Sequence, residues 1–188
     1  MVLNMDSIQV GNKAKKSETM YDLRLSDINL TIWALVRQTW AIMYKAAESR
    51  LNKVGLTPEK LAVLWICRDY PGILTTAEIA RFLSRQSQSV TGLLNRMEEE
   101  KLVTRNPKRK GRPFTEVKLT TKGEEVCHNG IVVIKDLISV IAPALSEGDQ
   151  QQLQKLLGAL RQSAIGDLKT DLTRPPDFPT AELIPVKW

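Results

Sequence analysis

From Asp27 to Leu51 apolar residues recur every three or four positions: Ile28, Ile32, Leu35, Val36, Ile42, Met43 and Ala46, with Trp33 and Trp40 among them. No Pro or Gly interrupts this run before Gly55, so the spacing predicts one long amphipathic helix. Its apolar positions fill more than one stripe, so it is expected to pack on two sides. Residues 1–26 show no such period and read as a flexible arm. Thr57-Pro58-Glu59 is a helix start, a hydroxyl cap followed by Pro where its missing N–H does no harm. Leu61, Val63, Leu64 and Ile66 carry that helix to the stop at Tyr70-Pro71-Gly72. Thr75 or Thr76 opens a short helix with Ile79, Ala80 and Leu83 on its inner side. After the polar break at 84–89 comes another helix, bearing Val90, Leu93, Leu94, Met97 and Leu102. Two short helices joined this tightly form a helix-turn-helix by spacing.

The period then changes from helical to alternating. Residues 102–105 and 114–120 flank Pro107-Lys108-Arg109-Lys110-Gly111-Arg112-Pro113. In the second run Val117 and Leu119 share one face and Glu116 and Lys118 the other, the pattern of a two-stranded hairpin. A hairpin directly after the second short helix makes this a winged helix-turn-helix. Two further helices are expected. The one over 121–145 is apolar and β-branched, with Ile131, Val132, Ile134, Leu137, Ile138 and Ile141. The other starts at Ser146 with Asp149 and carries Leu153, Leu156, Leu157 and Leu160. The last stretch holds four prolines between Pro175 and Pro185 and reads as an extended tail. The expected fold is mainly α with a small β wing. Its expected organisation is an arm at 1–26, a dimerisation helix at 27–56, a winged DNA-binding domain at 57–120, dimerisation helices at 121–167 and a Pro-rich tail at 168–188.

Charge changes the picture. The 188 residues carry a net +6, yet residues 101–122 hold eight Lys or Arg against Glu116 alone, a local +7 that leaves the rest at −1. A basic spot of this kind points to an anionic partner, with nucleic acid ahead of acidic lipid. The apolar share of 43% and charged share of 26% are those of a globular chain rather than a disordered or fibrous one. Uncharged stretches such as Leu137–Leu145 fall short of the ~20 residues that cross a bilayer. Met1–Met20 has no basic-then-apolar leader, so the expected location is the cytoplasm. Cys67 and Cys127 are too few for a disulfide framework, and His128, the only histidine, has no companions for a metal site. No phosphate loop or nucleophile elbow occurs, so neither a cofactor nor an enzyme activity is expected.

Ser89-Val90-Thr91-Gly92-Leu93-Leu94-Asn95-Arg96-Met97-Glu98, the following Glu99-Glu100-Lys101-Leu102-Val103, and Leu119-Thr120-Thr121-Lys122-Gly123 after the hairpin resemble MarR-type regulators across roughly residues 28–165. The resemblance implies a homodimeric winged-helix DNA binder, mostly a repressor, released by a small aromatic ligand or by oxidation. It also implies that Arg112 enters the minor groove. The family's Asp-Arg-Arg run reads Gly111-Arg112-Pro113 here, so the acid that braces that arginine is missing; Lys108, Arg109 and Lys110 are left to supply general charge.

Gln reads adenine and Arg reads guanine bidentately, so Arg85, Gln86, Ser87, Gln88, Ser89 and Thr91 around the start of the recognition helix are the candidate readout group. Asn95 and Arg96 lie two turns further on, and Thr76 is placed to lend a donor to a phosphate. The apolar surplus of the outer helices exceeds what one small domain can cover, which predicts a two-fold dimer on a palindromic operator in double-stranded DNA. In the family's architecture an effector pocket lies between the first helices and the DNA-binding lobe, which makes Trp33, Trp40 and Trp65 candidates for a small aromatic or hydrophobic effector. Cys67 and Cys127 have apolar neighbours and read as structural rather than redox-active. The alternative function is a winged-helix protein-interaction module without specific DNA binding.

Overall fold

A computed structural model describes residues 25–70, 72–106 and 115–168. The helices are α1 (Ile28–Leu51), α2 (Pro58–Asp69), α3 (Thr76–Phe82), α4 (Ser87–Glu99), α5 (Thr121–Ile141) and α6 (Glu147–Asp167), with strands β1 (Val103–Asn106) and β2 (Glu116–Leu119) between α4 and α5. The described chain divides into two compact units, one made of 25–46 and 136–168 and the other of 47–135.

In the second unit, the winged one, local chemistry sets each helix start. Thr57 accepts from Lys60 N and caps α2, with Pro58 in its first turn. Thr75 and Glu78 form a reciprocal capping box on α3. Helix ends are set equally tightly. Ser84 adopts φ 50° after α3 and Lys101 φ 61° after α4, the left-handed residue of a Schellman closure. The next residues complete each closure, Arg85 N donating to Ala80 O at 2.9 Å and Leu102 N to Met97 O at 2.8 Å. These turns aim α4 across α3 and deliver the chain into β1.

The strands pair antiparallel, Val103 opposite Leu119 and Asn106 opposite Glu116, and Thr75 adds a bridge to Glu116. Alternation correctly places Glu116 and Lys118 on one face, joined by an ion pair at 3.1 Å. It does not anticipate that Glu116 is buried, only 5% exposed. The bridge to Thr75 closes over it, and Asn106 Nδ2 donates to its carboxylate at 3.2 Å.

The winged unit reaches beyond residues 57–120. Leu51 and Leu56 on one side, and Cys127 and Ile131 of α5 on the other, are buried in the same core as Leu64, Ile79, Leu94 and Met97. Gly130 allows this packing, since a Cβ there would stand 2.6 Å from Leu61 Cδ1. The segment Thr121–Ala144 contains an 18-residue window of mean hydropathy 1.4 and is long and apolar enough to cross a membrane by length and composition. On the same segment Cys127 and Ile131 are buried in the winged core, and Lys135 and Asp136 place two charges near mid-length.

The first unit contains most of α1, the second half of α5, and α6, which Ser146 and Asp149 cap reciprocally. Helix α6 has no buried residue. Ile28, Trp33, Leu35, Trp40, Val140, Leu156 and Leu160 are exposed, with Trp33 and Trp40 each 65% accessible. Within this unit Ile32, Trp33 and Val36 of α1 and Leu157, Leu160 and Ala164 of α6 line a cavity of about 880 Å³.

Candidate nucleic-acid interface

Helix α4 separates its residues cleanly by chemistry. Val90, Leu93, Leu94 and Met97 are buried, at the spacing of one helix face. Gln88, Ser89, Thr91, Asn95 and Arg96 are exposed on the remainder, and Arg85, Gln86 and Ser87 are exposed at the approach to the helix. The N-terminus of α4 differs from those of α2, α3 and α6. Gln86 occupies the cap position and its side chain makes no capping bond, so the first N–H groups of α4 point outward with the positive end of the helix dipole.

Two candidates have intramolecular occupations. Arg85 Nη2 reaches Glu59 at 3.2 Å with half of its side chain exposed; a surface pair of this kind is worth little. Thr91 donates its hydroxyl to Ser87 O at 2.9 Å, leaving its lone pairs to accept. Thr76 opens α3 half-buried, and the cap itself is Thr75. Lys108, Arg109, Lys110 and Arg112 lie outside the described residues.

The structure adds a brace that local spacing rules do not reveal. Glu98 Oε1 accepts from Arg105 N at 3.0 Å, while Oε2 accepts from Arg105 Nε at 2.8 Å and Nη2 at 2.6 Å. The guanidinium hydrogen bonds hold the Glu98 carboxyl below its ordinary value. The last turn of α4 is thereby tied to β1, the first strand of the hairpin. Both guanidinium donors converge on one carboxylate oxygen while the backbone N–H donates to the other, and these charge-assisted contacts together fix orientation as well as distance. Lys60 holds Glu100 at 2.6 Å, so of the acids at the end of α4 both Glu98 and Glu100 are paired within the chain.

Below the wing, Thr120 Oγ1 donates to Lys101 O at 2.7 Å and accepts from Gly123 N at 2.9 Å. Lys122 Nζ donates to Glu100 O at 2.9 Å. These contacts give the Leu-Thr-x-x-Gly pattern a physical meaning: it locks the start of α5 onto the exit of α4.

The tryptophans do not share one environment. Trp33 lines the α1–α6 cavity, and Trp40 meets Tyr44 at a ring separation of 5.7 Å, both in the first unit. Trp65 belongs to the winged unit, where it packs against the core and donates its indole N–H to Asp69 at 2.6 Å. Burial pushes the Cys67 thiol up to about 12, with Cys127 adding to the effect, and burial pushes Cys127 up to about 11. Such thiols are almost wholly protonated near neutrality, whereas reactive cysteines have lowered values. Iodoacetamide at pH 8 is accordingly expected to leave both unmodified in the folded protein and to label both quickly in denaturant. Fast labelling of either in the native state would contradict the structural role.

Residues 54–112 match the MarR family model. The HTH-type transcriptional repressor MdtR of Bacillus subtilis (strain 168) is 28% identical over 153 residues, which cover 81% of this chain and 96% of MdtR. Staphylococcus aureus MepR in complex with DNA superposes with a TM-score of 0.63 at 24% identity, covering 69% of this chain and 95% of MepR. The organohalide-sensing regulator RdhR in its 2,4-dichlorophenol-bound form gives 0.72 at 17% identity, over 86% of this chain and 98% of RdhR. Fold and surface thus define a winged helix-turn-helix protein whose second short helix, α4, has a polar exposed face. The chain is similar to MarR-family transcriptional regulators, through the family match over residues 54–112 and the likeness to MdtR.

Proposed function

We propose that the protein is a cytoplasmic, homodimeric repressor that binds a palindromic operator in double-stranded DNA. Each copy places α4 in the major groove and the Lys108–Arg112 segment at the minor groove. The observation that carries this reading is the division of α4 into a buried apolar face and an exposed face of Gln88, Ser89, Thr91, Asn95 and Arg96. Amide, hydroxyl and guanidinium groups on one exposed helix face are the donors and acceptors that base edges require.

The apolar exposure of α1 and α6 supports the dimer, because a monomer rarely leaves patches larger than a few hundred Å² uncovered. The cavity beside Trp33 supports an apolar, flat effector. Such an effector releases DNA only through different affinities for DNA-competent and DNA-incompetent arrangements. RdhR with its chlorophenol is a fold relative with a bound ligand of that kind.

The test is selection from random duplexes at near-physiological salt, followed by sequencing of the retained DNA. The expected result is an enriched palindrome with half-sites about one helical turn apart. Gln88→Ala is expected to change which bases are preferred at one position per half-site, at a cost of ~1–3 kcal/mol for the original base. Retention without a motif, or no retention at all, would argue for a charge-only binder or a protein-interaction module instead.

A further inference from the structure

We infer that Gly92 is the point where DNA comes closest to the backbone of the recognition helix, and that its missing side chain sets how deeply α4 sits in the groove. This rests on the reading of α4 as the recognition helix. Glycine is a poor residue for the interior of a helix, because it loses the most conformational freedom on ordering. Where this winged unit tolerates helical glycine elsewhere, the reason lies inside the chain. A Cβ at Gly123 would strike Leu102 O, and one at Gly130 would strike Leu61. At Gly92, in the middle of the 13-residue helix α4, a Cβ would meet nothing within 4 Å.

The position points away from the core. With Val90, Leu93, Leu94 and Met97 buried, helical spacing sets Gly92 among Gln88, Asn95 and Arg96, its neighbours at four before, three after and four after. All three are exposed. Gln88 and Asn95 carry short amides that reach base edges only if the helix lies close to the groove floor. A helix with its side chains is ~10–12 Å across, against a major groove ~12 Å wide. A side chain at the centre of the facing surface would hold both amides away from the bases.

The test is Gly92→Ala in the full chain, read by thermal unfolding and by binding to the selected operator. Because the methyl meets free space within the chain, Tm is expected to rise by roughly 2–4 °C. Affinity for the operator is expected to fall about tenfold or more, the size of one lost base contact. Gly92→Leu is expected to lose still more affinity while remaining folded. A Gly92→Ala protein that binds as tightly as the wild type, or one with a lowered Tm, would overturn the inference. The underlying reading fails separately: a wild-type protein that enriches no motif, or an unchanged base preference in Gln88→Ala, would overturn both. A motif that depends on Gln88 but not on Gly92 would overturn this inference alone.

Discussion

Gly123→Ala is expected to destabilise the winged unit by about 3 kcal/mol or more, at or beyond the top of the usual range for overpacking. An added Cβ would lie 2.0 Å from Leu102 O, 3.0 Å from Leu102 C and 3.1 Å from Leu119 Cδ2. Two of these three atoms belong to the backbone, so no rotamer change can relieve the clash. Leu102 O is also held where it is, accepting from Thr120 N at 3.2 Å. Relief requires α5 to lift from the exit of α4, which breaks the Thr120 cap and disturbs the wing root. In a chain of this size the loss corresponds to a Tm decrease of roughly 6–12 °C. Gly130→Ala is the comparison. Its Cβ would meet only side-chain ends, Leu61 Cδ1 at 2.6 Å and Leu56 Cδ2 at 3.1 Å. Those methyls can turn aside, and alanine returns ~1 kcal/mol of helix propensity, so its Tm is expected to fall much less. Equal Tm values for the two variants would remove the backbone clash as the reason for Gly123.

Replacing Lys108, Arg109, Lys110 and Arg112 together with alanine is expected to weaken binding to every duplex by about 100-fold or more at near-physiological salt, with the enriched motif unchanged. The reasoning is electrostatic. Each phosphate contact releases counterions and contributes about −0.9 to the slope of log K against log salt. If the wing of each copy neutralises two phosphates, a dimer loses about 3.6 from that slope. The measurement is affinity at several salt concentrations for operator and scrambled DNA, comparing the quadruple variant, Arg112→Ala and Gln88→Ala. Arg112→Ala should weaken all sequences alike, whereas Gln88→Ala should leave the salt slope nearly intact and alter base preference. An unchanged slope in the quadruple variant would place the phosphate contacts elsewhere. Equal loss on every sequence for both single variants would dissolve the division of labour between wing and helix.

The legibility of this fold in its sequence was uneven, for identifiable reasons. Helix starts at Thr57 and Ser146, and at Thr75 or Thr76, were readable because capping is local, a side chain answering an N–H two or three residues on; the structure puts the third cap on Thr75. The inner face of α4 was readable because Val90, Leu93, Leu94 and Met97 repeat at the helical period. The Glu98–Arg105 brace was not, since seven residues and a reversal of the chain at Lys101 separate two partners that only the turn brings together. The burial of Glu116 was missed for a related reason. Alternation assigns faces of a strand, but whether a face is covered depends on Thr75, which arrives from the start of α3.

The candidate site shows the same division. Residue types alone set out a polar readout helix and a local charge of +7 around the wing, because charge and hydrogen-bonding capacity belong to a side chain wherever it is placed. Composition also marked Trp33, Trp40 and Trp65 as unusual, but it could not say that Trp33 faces a cavity walled by α6 while Trp65 is bonded to Asp69 in the other unit. By itself, then, the sequence determined the order of the elements, most of the helix starts and the chemistry of the exposed face of α4, all consequences of interactions between near neighbours. It placed Leu102 on α4 and ran α5 to 145, whereas α4 ends at Glu99 and α5 at Ile141. Tertiary structure alone decided which glycine is required by a backbone contact and which faces open space, which carboxylate is buried, and how α4 is tied to the wing. Those outcomes depend on atoms distant in sequence that meet only once the chain has packed.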